Sequence, residues 1–202
     1  MRKTWPMAQA AISPSLTEDE YLVFERASPD KHEYIDGELF AMSGGTGDHA
    51  AVAANLIREL GNALFGRGCR VHTSDMRVKI PNTPRYVYPD ASVVCDEPEY
   101  VDDTKDTLVN PQVVVAVLSE STEAYDRGEK FASYQTIPSL GHYVIASQAK
   151  PRLEVFTRQD GGGWLLRTYG PGEVAALPLL PCSIEVDRVY TDVLVEAPPV
   201  TA

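Results

Sequence analysis

Apolar and polar positions change period several times along the chain, and each change predicts an element. In "LTEDEYLVFERAS", Thr17 followed by Glu20 fits a capping box, so a first helix is expected from about Glu18 to Arg26. "KHEYIDGELFAMS" alternates on both sides of Asp36-Gly37, a dipeptide suited to a tight turn, and predicts a hairpin of two short strands. Val52, Leu56, Leu60 and Leu64 then recur at helical spacing, predicting a long amphipathic helix that ends at Gly66 or Gly68. Four strand candidates follow: "CRVHTSDMRVKI", "YVYPDASVVC", "QVVVAVLS" and "GHYVIAS". Between the last two, Tyr125, Phe131 and Tyr134 suit the buried side of a helix, which Pro138 closes. The remainder reads as a β-meander with turns at "QDGGG" and "YGPGE" and a terminal helix from about Asp187. The expected class is α+β: helices around a central mixed sheet, with an N-terminal helix and hairpin and a C-terminal meander.

Length and composition narrow this picture. A chain of 202 residues suits one domain with a sizeable core, expected over 16–195 between a flexible N-terminus (1–15) and a flexible tail (196–202). No apolar run approaches the roughly 18 residues of a spanning helix, and "MRKTWPMAQAAISPS" lacks a signal-peptide core, so a cytoplasmic location is expected. Cys69, Cys95 and Cys182 match no CxxC spacing and read as reduced core or near-core residues. The net charge of -11 weighs against a surface built on phosphate contacts, but leaves room for a locally basic cleft. Part of the acidity lies in "CDEPEYVDDTKD", which reads as a solvated connecting loop because its acids follow no EF-hand spacing.

Few residues suggest chemistry unaided. Asp90 follows Pro89 inside an otherwise apolar strand; it is either a solvated acid at a strand start or an acid that needs a cation or hydrogen-bond donor. By strand parity Asp90, Ser92 and Val94 share one face, and Ala91, Val93 and Cys95 the other. Lys130 lies four residues after Asp126, the spacing of a simple helical ion pair. Glu33 reads as an ordinary surface glutamate on a strand, of the same parity as Ile35, and His49 as a cap or core histidine. "GGTG" lacks the lysine of a phosphate loop, His32, His72 and His142 show no HExxH spacing, and no GxSxG elbow is present.

In order and spacing, "HEYIDGEL", "SDMRVKI", "YPDASVVC", "VLSEST", "YDRGEKFASYQTIPSL" and "VYTDVL" together resemble the Uma2 (DUF820) family of endonucleases. That family belongs to the PD-(D/E)XK, restriction-endonuclease-like superfamily, and the resemblance runs from about Leu16 to Leu194. It implies a metal-dependent hydrolysis of nucleic-acid phosphodiesters, with DNA as the expected partner. Its PD aspartate falls on Asp90, its early glutamate on Glu33 and its helix lysine on Lys130. Asp90 and Glu33 would then hold Mg²⁺ or Mn²⁺, while Lys130 would steady the water or the charge on the phosphate. The departure is Ala116, where the family pattern "EVLS" has the second metal-binding glutamate. Glu120 has the parity to replace it, but four residues of extended chain span roughly 13 Å. His142 and Ser147 also stand where the family strand carries acids. The expectation is therefore an endonuclease with an impaired site and weakly held metal, acting as a homodimer. The alternative is a nuclease-fold module that binds or oligomerises without cutting. A basic cleft around Arg70, Arg77, Lys79 and Arg85 would favour nucleic acid.

Overall fold

A computed structural model describes residues 15–42, 44–119 and 122–193. Apart from Ser15, the expected flexible ends lie outside the described residues, as does Glu120. Helix α1 (Glu18–Ala27) opens on the expected capping box: Thr17 Oγ1 accepts from the Glu20 amide and the Glu20 carboxylate accepts from the Thr17 amide. It lays Tyr21 and Leu22 against Tyr34, Leu39 and Tyr86. Strands β1 (His32–Ile35) and β2 (Glu38–Ala41) form the predicted hairpin. Its turn needs positive φ at both central positions, and Asp36 and Gly37 supply 52° and 97°.

Helix α2 (Gly47–Ala63) buries Val52, Leu56 and Leu60 completely. It stops before the expected glycines; Gly66 and Gly68, both at φ 72°, instead belong to the turn that leads into β3. The next two strand candidates each divide. "CRVHTSDMRVKI" becomes β3 (Cys69–Thr73) and β4 (Arg77–Ile80), and "YVYPDASVVC" becomes β5 (Arg85–Val87) and β6 (Ala91–Cys95). The first break is a turn in which the Thr73 carbonyl accepts from the Met76 amide. The second contains Pro89, which has no amide to offer a ladder. Since β3 pairs with β6 and β4 with β5, the four form one bent ribbon whose two halves join different sheets.

The smaller sheet runs β2-β1-β5-β4-β7, where β7 is Thr107–Leu108. The larger runs β11-β10-β9-β8-β6-β3, with β8 at Val113–Leu118, β9 at His142–Ser147, β10 at Leu153–Arg158 and β11 at Trp164–Tyr169. It is mixed, because β8 and β9 are parallel and the other pairs antiparallel. A separate pair, β12 (Val174–Leu177) with β13 (Cys182–Glu185), leads into the short helix α5 (Val186–Val189). Every residue of β8 is buried. Val113, Val115 and Val117 join the core under α2, while Val114, Ala116 and Leu118 join Phe131, Tyr134 and Tyr143 on the other face. Among the described residues, no helix is long and apolar enough to cross a membrane.

Two local expectations are corrected. Cys69 and Cys95 are directly opposite in the β3–β6 ladder and joined as a disulfide, whereas Cys182 is free and buried. Sequence spacing cannot reveal a partner that the ladder register brings alongside. The acidic loop is also less solvated than expected. Arg26 holds Asp102 at 2.7 Å and Asp106 at 2.8 Å, and buried Arg77 reaches Asp106 at 2.5 Å, pinning the loop to α1 and β4.

His142, at the start of β9, is fully buried. Its Nε2 accepts from the Leu179 amide at 3.1 Å, which leaves Nδ1 to donate to Thr157 Oγ1 at 3.2 Å. Burial pushes its pKa from 6.5 down to about 4. The folded state thus prefers the neutral ring, so this contribution is complete above pH 6.5 and is lost as pH falls towards 4. Urea unfolding midpoints should drop between pH 7 and pH 5, and His142→Gln should flatten that drop. His72, also lowered by burial, acts in the same direction and remains in the variant.

Candidate functional site

Three distant segments meet where the bent ribbon passes between the sheets. Glu33 comes from β1, Asp90 from the break before β6, and Lys130 from the connection after β8. That connection is a short helix, α3 (Glu123–Tyr125), a π-helical turn at Asp126–Lys130, and α4 (Phe131–Tyr134). As the sequence predicts, Tyr125, Phe131 and Tyr134 are buried and hold the connection against the sheet. The π turn interrupts the helix at the residues that carry charge, a common feature of functional sites.

Lys130 is the centre of the cluster. Its Nζ lies 3.0 Å from Glu33 Oε1, across a separation of 97 residues, and 3.7 Å from Asp126 Oδ1. The predicted i, i+4 pair is therefore present, but it is the longer of the two contacts. Glu33 is only 4% exposed, so the ordinary surface glutamate expected here is in fact a buried partner. The same Oε1 accepts from the Tyr88 amide at 3.1 Å, while the Tyr88 hydroxyl donates to Glu25 on α1 at 2.8 Å. Burial opposes the charge of Lys130, but Glu33 and the neighbouring acidic groups outweigh it and hold the ammonium well above its ordinary pKa.

Asp90 is fixed by the adjoining strand. Its amide donates to the Val115 carbonyl at 3.0 Å, and its Oδ2 accepts from the Val117 amide at 2.7 Å. Its Oδ1 is 3.5 Å from His49 Nε2 at the first turn of α2. Burial raises the pKa of Asp90, against the opposing pull of His49, the Val117 amide and Lys130. Burial likewise raises that of Asp126, although Lys130 and the Thr122 hydroxyl favour its charged form. A cleft of about 680 Å³ is lined by His49, Asp90, Ser119, Tyr125, Asp126 and Lys130, among others.

The other sequence candidates divide clearly. Ala116 is 4% exposed in the apolar cluster with Phe131 and Tyr134, and it brings a methyl group where a carboxylate was expected to matter. His142 binds Leu179 and Thr157, and the Ser147 hydroxyl accepts from the Ala149 amide, so both serve the sheet. A basic cleft, which would have favoured nucleic acid, gains no support at three of its four positions. Arg77 pairs with Asp106, Lys79 with Glu18 and Arg85 with Asp36, so these three cations each lie against a carboxylate. Asp126 and His49 are the cleft residues whose importance the sequence understated. The one signal for Asp126 was its spacing from Lys130, and for His49 nothing local separates a cleft residue from a cap.

Mg²⁺ or Mn²⁺ would make a specific demand on this donor set. A hard divalent ion wants several oxygen ligands. Among the described residues no three His, Cys, Asp or Glu side chains come together to hold one. Glu33 Oε1 is engaged by Lys130 and the Tyr88 amide, and position 116 supplies no oxygen. These residues do not form a complete cradle for the ion.

Comparison with known proteins agrees with the fold. The profile of the Uma2 family, described as "Putative restriction endonuclease", matches residues 18–189. Two uncharacterized proteins of Synechocystis sp. are similar: slr1290 is 38% identical over 90% of this chain and 94% of its own length, and sll1609 is 34% identical over 79% and 90%. A crystal structure of a "putative nuclease belonging to DUF820" from Anabaena variabilis superposes with a TM-score of 0.70, covering 87% of this chain and 98% of that one at 14% identity.

Removing one partner of the buried pair should be costly. Glu33→Gln strips Lys130 of its nearest counter-charge and should lower stability by roughly 3–5 kcal/mol in urea unfolding at pH 7. A loss below about 1 kcal/mol would mean that Asp126 alone neutralises the ammonium.

Proposed function

Because the chain belongs to the Uma2 family, we propose that it acts on nucleic-acid phosphodiesters, DNA first among them, through the cleft around Asp90, Glu33 and Lys130, with hydrolysis held low by Ala116. The observation that carries this reading is the Lys130–Glu33 contact of 3.0 Å beside Asp90, which unites the residues corresponding to the family's helix lysine, early glutamate and PD aspartate. Such a grouping can orient a phosphate and answer the charge that develops on it. Here the answering charge is weakened, because Glu33 and Asp126 already neutralise the lysine. In the family pattern a glutamate at position 116 is the second metal carboxylate; alanine removes both its charge and its oxygen ligands.

The alternative, a nuclease-fold module that binds without cutting, is favoured by the same alanine and by the lack of unpaired cations at Arg77, Lys79 and Arg85. Nicking of a supercoiled plasmid with Mg²⁺ or Mn²⁺ separates the two. Ala116→Glu should nick on the order of 10²–10³-fold faster than the native chain, the usual scale of a lost electrostatic contact at a reacting centre. Lys130→Ala, with or without Ala116→Glu, should not nick above background. Nicking by none of these proteins would leave the non-cutting module as the better reading, while equal nicking by the native chain and Ala116→Glu would remove Ala116 as the cause of impairment.

A further inference from the structure

The larger sheet ends on one side in a strand that the fold leaves open. Of the outer strands of the two large sheets, β11 is the longest, with six residues against five in β3, four in β2 and two in β7. Among the described residues no strand pairs with its outer side. The direction of its free groups follows from its neighbour. The Arg158 amide donates to the Gly141 carbonyl, just before β9, and the Gln159 amide donates to the Gly163 carbonyl, in the β10–β11 hairpin. Successive residues of β10 thus face β9 and β11 in turn. Leu165, Arg167 and Tyr169 therefore bond to β10, while the amides and carbonyls of Trp164, Leu166 and Thr168 point outward. The side chains add apolar surface to this edge. Leu166, 45% exposed, stands opposite Phe156 on the face of Phe131, and Leu165, 43% exposed, stands opposite Thr157 on the other face. Leu179, 55% exposed, is held on that second face by the bond from its amide to His142, the ladder neighbour of Thr157. Open edges are usually guarded by a proline, a bulge or several charges. β11 has an unbroken register, no proline and a single charge, Arg167.

We propose that β11 is a dimerisation edge: it pairs antiparallel with β11 of a second copy of this chain and joins the two larger sheets into one continuous sheet. A second copy fits because the edge matches itself. Outward-facing residues must meet outward-facing residues, and the register that overlaps the whole strand sets Leu166 opposite the same leucine of the other copy. Trp164 then stands opposite Thr168 and Leu165 opposite Arg167, with about six backbone hydrogen bonds across the junction. The register in which Leu166 meets Thr168 is disfavoured, since it sets the two Arg167 side chains against each other. Charge points the same way. The chain carries a net charge of -11, so two copies repel in most approaches, but β11 has one arginine and no acid. At this edge two copies meet without setting acid against acid, and pairing takes Leu165 and Leu166 out of water. Opposite residues of an antiparallel pair point to one face, so the two-fold axis stands perpendicular to the sheet. Both copies then carry Phe131 and Tyr134, and with them the Lys130 connection, on the same side. β10 and β9 separate β11 from β8, which leaves the cleft open.

Sedimentation of the full chain between about 1 and 100 µM tests this, since strand addition buries less than a standard interface and should give micromolar affinity. The native chain should pass from monomer to dimer over that range. Leu166→Lys sets two ammonium groups opposite each other and should weaken the dimer at least about tenfold. It also lowers the net negative charge, so a loss of association cannot come from general repulsion. Val23→Lys, a comparable change at an exposed position on α1, should leave the dimer unaltered. Thr168→Pro removes one outward amide, a change that an edge strand tolerates, and should weaken the dimer without adding charge. Amide hydrogen exchange locates the contact: the Thr168 amide should be protected in the native dimer and exchange freely in Leu166→Lys. A native chain that stays monomeric at about 100 µM overturns the proposal. So does a dimer that both Leu166→Lys and Thr168→Pro leave at full strength, which would place the contact elsewhere. Equal protection of the Thr168 amide at every concentration also overturns it, because another part of the same chain would then cover the edge. None of these results bears on the nicking comparison of Ala116→Glu, which remains a separate test of the phosphodiester reading.

Discussion

The buried ion pair between Lys130 and Glu33 is the constraint on which the site depends. It ties a strand near the N-terminus to a turn that follows the central strand of the other sheet, across 97 residues of chain. A charge with so little exposure is tolerable only when its partners are close and hydrogen-bonded. The cluster meets that condition through Glu33, Asp126 and the aromatic ring of Tyr125, and Glu33 is itself steadied by the Tyr88 amide. The π turn at Asp126–Lys130 brings both charged ends of the segment to this one point. What looks like a catalytic lysine in a family pattern is, in this chain, equally the counter-ion that allows the acids to be buried.

The bent ribbon explains how the acids come together. At Pro89 and Asp90 the chain leaves the sheet that holds Glu33 and enters the sheet that holds β8. Proline cannot continue the ladder, so Asp90 falls at the crossing, where its carboxylate reaches the Val117 amide and faces the first turn of α2. The same break that ends one strand therefore aims the acid into the cleft. A glutamate on the parity of Ala116 would rise from β8 on the side of Phe131 and Tyr134; alanine leaves that side apolar, apart from the unpartnered Tyr134 hydroxyl.

Elsewhere the excess of acids sets the behaviour of the cations. With a net charge of -11, arginines and lysines that might have lined a nucleic-acid groove are drawn into ion pairs within the fold. The acidic loop, which resembles a solvated run when read by composition, becomes a staple because Arg26 and Arg77 converge on Asp106. Stability and electrostatic attraction for a polyanion are thus opposed on this surface: each cation that secures a loop is one that no longer projects free charge.

By itself the sequence determined the features that depend on neighbours a few residues apart: the Thr17–Glu20 cap, the Asp36-Gly37 turn, the α2 stripe of Val52, Leu56 and Leu60, and the buried run of β8. The ordered motifs determined the family as well. Only the tertiary structure decided that two apparent strands were four, that Cys69 lies opposite Cys95, and that Glu33 is a partner of Lys130 instead of a surface acid. The physical reason is the range of the interactions. Caps, turns and amphipathic faces are selected by backbone geometry over one or two turns of chain, whereas the pairing of buried charges and cross-strand neighbours is selected by register and proximity after the sheets have assembled.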